Sequence, residues 1–81
     1  MGKKPRPKPQ RLAAKLLAIR QGLCFSQSEM IRLLRVQVST ARISEYESGT
    51  REPNLIVLLR YAKVAGVCVD ELIDDDVQLN F

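Results

Sequence analysis

Seven cations and no acid stand in the first twenty residues: Lys3, Lys4, Arg6, Lys8, Arg11, Lys15 and Arg20. Ammonium and guanidinium groups at this density attract a polyanion, nucleic acid above all, although basic tails also serve simply to keep a chain in solution. The other end carries Asp70, Glu71, Asp74, Asp75 and Asp76 against Lys63, and the whole chain balances at +4. A basic end and an acidic end suggest that one side of the molecule meets the polyanion. There is no His, so the commonest general base and metal ligand is missing. Cys24 and Cys68 lack partner ligands for zinc and are too few for a disulfide scaffold. They read as free thiols of a reducing cytoplasm. Asp74-Asp75-Asp76 lacks the loop spacing of a calcium site and reads as a solvated charge run. No glycine-rich phosphate loop and no nucleophile–base pair occurs. An enzyme is therefore not expected, nor a cofactor or metal. No apolar run approaches the roughly 18 residues of a membrane span, and no signal-peptide pattern opens the chain. A cytoplasmic protein without a membrane partner is expected.

Helices must hold these groups. A chain of 81 residues, 46% of them hydrophobic, makes one small domain with a thin margin of stability. Residues 1–9, with three prolines and four cations, form a basic, Pro-rich arm that joins no core. Leu12, Leu16, Ile19 and Leu23 then fall on one face of a first helix, with Arg11, Lys15 and Arg20 on other faces and Gly22 at its end. Ser26 and Glu29 match a capping box for a second helix over about residues 27–35, with Met30, Ile31, Leu33 and Leu34 as its apolar content. Val36-Gln37-Val38 breaks the period; a short strand fits the pattern, and a turn is preferred. Ser39 caps a third helix over about 40–47, in which Ile43 and Tyr46 point inward and Gly49 supplies the left-handed stop. Asn54 caps a fourth helix with Leu55, Leu58, Leu59 and Ala62 as its buried stripe, and Gly66 closes it. A short fifth helix begins near Asp70, with acids in its first turn. Five helices, no convincing strand, and a capped helix–turn–helix in the middle make an all-α fold.

The blocks Ser26-Gln27-x-Glu29-Met30, Ile43-Ser44-Glu45-Tyr46-Glu47-Ser48-Gly49-Thr50-Arg51-Glu52-Pro53, Leu58-Leu59-x-x-Ala62 and Gly66-Val67-x-Val69-Asp70-Glu71-Leu72 resemble the phage-repressor/Cro-type helix-turn-helix family over roughly residues 11–73. The resemblance implies a five-helix DNA-binding domain, here residues 10–74, with 75–81 as a C-terminal tail. It implies sequence-specific binding of double-stranded DNA by a homodimeric transcriptional repressor. Val77, Leu79 and Phe81 alternate and are candidates to help pairing. The same fold also serves as an antitoxin, whose main partner is a toxin protein, or as the head of a longer chain. By the resemblance, Thr40, Ala41, Ser44 and Glu45 read bases, the methyls meeting thymine and the carboxylate accepting from cytosine N4. Ser26, Gln27, Arg42, Ser48, Thr50 and Arg51 meet phosphates, while Arg20 pairs with Glu47 as a structural ion pair. A merely solvated helix face would have the same composition. The chain departs from the family at one place. Ser26 to Ile43 is two positions longer than the family's spacing, with extra residues around Arg35-Val36-Gln37 and no turn Gly. Either the second helix runs longer or the turn is looser.

Overall fold

Five helices follow one another in the computed structural model, which describes residues 9–79: α1 Leu12–Gly22, α2 Gln27–Leu34, α3 Thr40–Ser48, α4 Leu55–Ala65 and α5 Val69–Ile73. Residues 1–8 of the arm and Phe81 lie outside the described residues. Among the described residues there is no strand and no helix long and apolar enough to cross a membrane. The polar residues that start α2, α3 and α4 each satisfy an amide that the helix itself leaves unpaired. Ser26 Oγ accepts from the Glu29 amide at 3.1 Å while the Ser26 amide donates back to Glu29 Oε1 at 2.8 Å. Ser39 Oγ accepts from the Arg42 amide at 3.2 Å, and Asn54 Oδ1 from the Val57 amide at 2.9 Å. Gly49 and Gly66 end α3 and α4 at φ of 82° and 72°.

Two helix ends depart from the sequence reading. Gly22 is the last residue of α1, as expected, but the left-handed residue of its stop is Cys24, at φ 60°. The Cys24 and Phe25 amides donate to the Gln21 and Arg20 carbonyls, the paired bonds of a Schellman stop. At the end of α2, Arg35 takes the left-handed position at φ 55°. The second helix does not run longer, so the turn absorbs the extra residues.

The helices enclose one core made of Leu12, Leu16 and Ile19 from α1, Met30 and Leu34 from α2, and Ile43 and Tyr46 from α3, closed by α4 and by Leu72 of α5. In α4 the buried residues are Val57, Leu58, Tyr61 and Ala62, not the expected stripe, and Leu55 is 79% exposed and Leu59 39% exposed. The two registers share Leu58 and Ala62. The choice between them falls to Tyr61, whose ring is wholly buried and covers more apolar surface than Leu55 would. Its hydroxyl has no hydrogen-bond partner among the described residues, and burial pushes its pKa well above the usual tyrosine value.

The two charged ends meet in space. Lys15 is buried, contrary to the expected outward position, and its Nζ donates to the carbonyls of Glu71, Asp74 and Val77 at 2.7, 2.9 and 2.8 Å. It caps the C-terminal end of α5, where the helix carbonyls and macrodipole favour a cation. Asp75 does the converse for α1, whose own N-cap, Arg11, makes no side-chain cap. Its carboxylate accepts from the Gln10 amide at 2.9 Å and the Arg11 amide at 2.9 Å, and Arg11 Nη1 donates to the Asp75 carbonyl at 3.0 Å. Asp75 thus binds the start of α1, where a simple solvated charge run was expected. Leu79 packs against the core of its own chain.

Replacing Lys15 with Met leaves three carbonyls without their donor. Thermal unfolding of Lys15→Met should show a loss of about 2–3 kcal/mol, whereas Lys63→Met, on an exposed position, should stay within about 0.5 kcal/mol. A second outcome concerns acid. Amides of Gln10 and Arg11 hold the Asp75 carboxyl below its usual pKa, and the Ser26 amide and hydroxyl do the same for Glu29. A depressed carboxyl contributes stability that is complete above its unfolded pKa, about 4, and is lost as the pH falls through the lower folded value. The melting temperature should therefore fall below about pH 4. Asp75→Asn should melt lower at neutral pH and lose less on acidification.

Candidate functional site

α3 is held from behind by a hydrogen-bonded cluster that joins three helices. Arg20 of α1 donates from Nε to Glu47 Oε2 at 2.6 Å and from Nη2 to Glu47 Oε1 at 3.0 Å, and its Nη1 reaches the Phe25 carbonyl at 2.9 Å. Gln27, the first residue of α2, donates from Nε2 to Glu47 Oε1 at 3.3 Å. The Arg20 and Glu47 side chains are only 18% and 6% exposed. The planar guanidinium spends both edges here, one on the carboxylate and one on the turn after α1, which an ammonium could not do. The hydrogen bonds that Arg20 donates to Glu47 raise the Arg20 pKa still further, outweighing the opposing effect of burial. By the resemblance Gln27 meets a phosphate and also buttresses the third helix; its amide nitrogen is turned inward to Glu47 of α3, which is the bracing part of that expectation.

Ile43 and Tyr46 anchor α3 to the core. The opposite face carries Thr40, Ala41 and Ser44, all exposed, and none of their side chains hydrogen-bonds another described residue. Glu45 shares this face but is engaged. Its Oε1 lies 3.2 Å from Arg42 Nε and 3.3 Å from Arg51 Nε. The Glu45 carbonyl collects the amides of Gly49, Thr50 and Arg51, which folds the chain sharply after α3. Ser48 Oγ donates to that carbonyl at 3.2 Å and shares a 2.8 Å hydrogen bond with Thr50 Oγ1. Ser26 keeps its hydroxyl on the α2 amide, at the same end of the motif as Gln27. Thr40, Ala41 and Ser44 thus form one open patch on the first half of α3, while Glu45, Ser48, Thr50 and Arg51 lie toward its far end, with Arg42 reaching along the helix to Glu45.

Sequence reasoning did not pick out Gln37, which is exposed between two half-buried valines, Val36 and Val38, that pack against the core. The Val-Gln-Val alternation was the available signal. It also missed Lys15, although Leu12, Lys15, Leu16 and Ile19 already follow the 3–4 spacing of a buried helix face. A lysine at such a spacing is easily read as a surface residue.

Two capped helices joined by a turn and packed on each other, the second tied from behind and open in front, define a helix-turn-helix of the phage-repressor type. The chain belongs to the helix-turn-helix family, whose model matches residues 16–72. Comparison with curated proteins gives no match. Among solved structures the chain is similar to the P22 c2 repressor in complex with a synthetic operator, with a TM-score of 0.71 and 28% identity over 80% of this chain and 96% of that one. It is similar also to the solution structure of the DNA-binding domain of the P22 c2 repressor, with a TM-score of 0.71 and 25% identity over 93% of this chain and 96% of that one.

The Arg20 cluster makes a direct stability test. Removing one partner of a desolvated pair strands the other charge, so Arg20→Met should lower stability by about 3 kcal/mol. For a domain of this size that is a drop of roughly 12–24 °C in melting temperature, read by circular dichroism. Arg32→Met, at an exposed position, should move it by only a few degrees.

Proposed function

We propose that this protein binds double-stranded DNA in a sequence-specific way through α3, as a homodimeric transcriptional repressor. The observation that carries this reading is the open patch of Thr40, Ala41 and Ser44 at the N-terminal half of a helix braced rigidly from behind. In helix-turn-helix docking the second helix enters the major groove with its N-terminal residues at the base edges. Thr40 and Ala41 present methyl groups suited to the thymine methyl, and the Ser44 hydroxyl can donate or accept. Glu45 accepts from cytosine N4 when Arg42 and Arg51 leave it for phosphates, so its two cations pass from a carboxylate to the DNA backbone as the complex forms. Ser26, Ser48 and Thr50 set the register on the phosphates, while Gln27 braces α3 from behind through Glu47. The likeness to a repressor solved on its operator supports the reading.

Two-fold pairing doubles the bases read and matches a palindromic site. Val77 and Leu79, the candidate pairing residues, are half-buried on their own chain, which favours another surface. Leu55, Ile56, Leu59 and Ile73 are 79, 58, 39 and 41% exposed, a concentration of large apolar side chains suited to a second copy of the chain.

Selection of bound duplexes from a random pool should return a two-fold symmetric sequence. Thr40→Ala and Glu45→Ala should each change the preferred base at a position in the half-site, with about 1–3 kcal/mol of lost discrimination. An unchanged selected sequence in both variants overturns this reading face. Ile56→Glu with Leu59→Glu should sediment as a monomer and weaken binding to the full site far more than to one half-site. A variant that still sediments as a dimer overturns the pairing surface.

A further inference from the structure

We infer that Gln37, on the lengthened turn between α2 and α3, is an additional specificity-determining residue that reads an adenine beside the bases met by α3. The inference rests on DNA binding through α3 as proposed above. Three features of the turn carry it. Arg35 closes α2 in the left-handed conformation, so the added residues are not absorbed as another turn of helix. Val36 and Val38 are half-buried and pack against the core. With the valines on either side so packed, Gln37 between them is the one side chain of the three that is exposed. Ser39 then caps α3 through its bond from the Arg42 amide, which fixes the end of the turn to the start of the helix. Gln37, Ser39, Thr40 and Ala41 are all exposed along this approach.

The chemistry of the side chain fits the place. The start of α3 is the end that meets base edges. At about 3.3 Å per extended residue, the Gln37 backbone lies within roughly 7 Å of Ser39 along the chain. That is a reach of about two base steps of 3.4 Å. The Gln37 carboxamide makes no hydrogen bond to another described residue, so a base edge would not have to displace an existing partner. One carbonyl and one amino group in a plane match the N6 donor and N7 acceptor of adenine. None of Thr40, Ala41, Ser44 and Glu45 offers this pair of groups. The two residues that lengthen the turn therefore add a kind of readout that α3 lacks.

The test is selection of bound duplexes by the full chain and by Gln37→Ala and Gln37→Glu, with thermal melting as a control on folding. The unmodified chain should select an adenine at one outer position of each half-site. Gln37→Ala should melt as the parent does and lose that preference by roughly 5- to 10-fold, toward the lower end of a bidentate contact, with the positions read by α3 unchanged. Gln37→Glu should turn the same position toward cytosine, whose N4 donates to a carboxylate. An identical selected sequence for all three proteins overturns the inference while leaving DNA binding through α3 standing. So does an equal weakening on every sequence, the mark of a phosphate contact. A parent chain that selects no sequence at all overturns the DNA-binding reading itself.

Discussion

The position of α3 depends on one desolvated carboxylate. Glu47 lies on the back of that helix and accepts two hydrogen bonds from Arg20 and one from Gln27. A carboxylate this buried is stable only with its charge matched and its lone pairs filled. The match comes from α1 and α2 together, so the three helices are fixed to one another at a point behind the exposed face. Apolar packing through Ile43 and Tyr46 supplies attraction, but it is not directional. The fork of the guanidinium supplies the direction. The base reading proposed for α3 requires placement within a fraction of an ångström, and a directional tie serves that purpose better than additional hydrophobic area.

The ends of the chain show the same economy of partners. Lys15 and Asp75 exchange roles between α1 and the segment after α5: a cation closes one helix's carbonyls, and a carboxylate closes the other helix's amides. Each end of the domain is thereby finished by a residue distant in sequence. The exchange also changes the meaning of the charge distribution. A basic beginning and an acidic end suggest opposite faces when written in a line. In the fold one lysine of the basic stretch is interior, and one aspartate of the acidic stretch sits over the start of the basic helix. The cations near the exposed face of α3 are instead Arg42 and Arg51, which the middle of the chain contributes and which pair with Glu45.

The lengthened turn is the place where the chain departs most from the pattern it resembles. The domain tolerates it because both valines of the turn find apolar partners in the core and Arg35 accepts a left-handed backbone. That conformation costs a non-glycine residue about 1–2 kcal/mol. Anchoring on both sides of Gln37 keeps the insertion ordered in relation to α3, where a loop of polar residues would swing free of it.

The number and order of the helices were legible in the sequence, because caps act locally: Ser26 with Glu29, Ser39, Asn54 and the two glycines at 49 and 66 each satisfy or end a helix within a few residues. So was the inward side of α3, where Ile43 and Tyr46 are apolar in an otherwise polar helix. Periodicity could not settle α4, since nearly every residue from Leu55 to Tyr61 is apolar and two registers compete; the ring of Tyr61 decided between them by the area it buries. Nor could it place Lys15, whose position on the buried face becomes favourable only once three carbonyls from residues more than fifty positions away converge on its ammonium. The sequence by itself determined what depends on neighbours a few residues apart: the caps, the stops and the polar face of α3. The tertiary structure alone decided the partners of Lys15 and Asp75, whereas the pairing of Arg20 with Glu47 was already implied by the family resemblance. A cation or carboxylate leaves water only where opposite charge or oriented dipoles await it, and those arrive from distant parts of the chain.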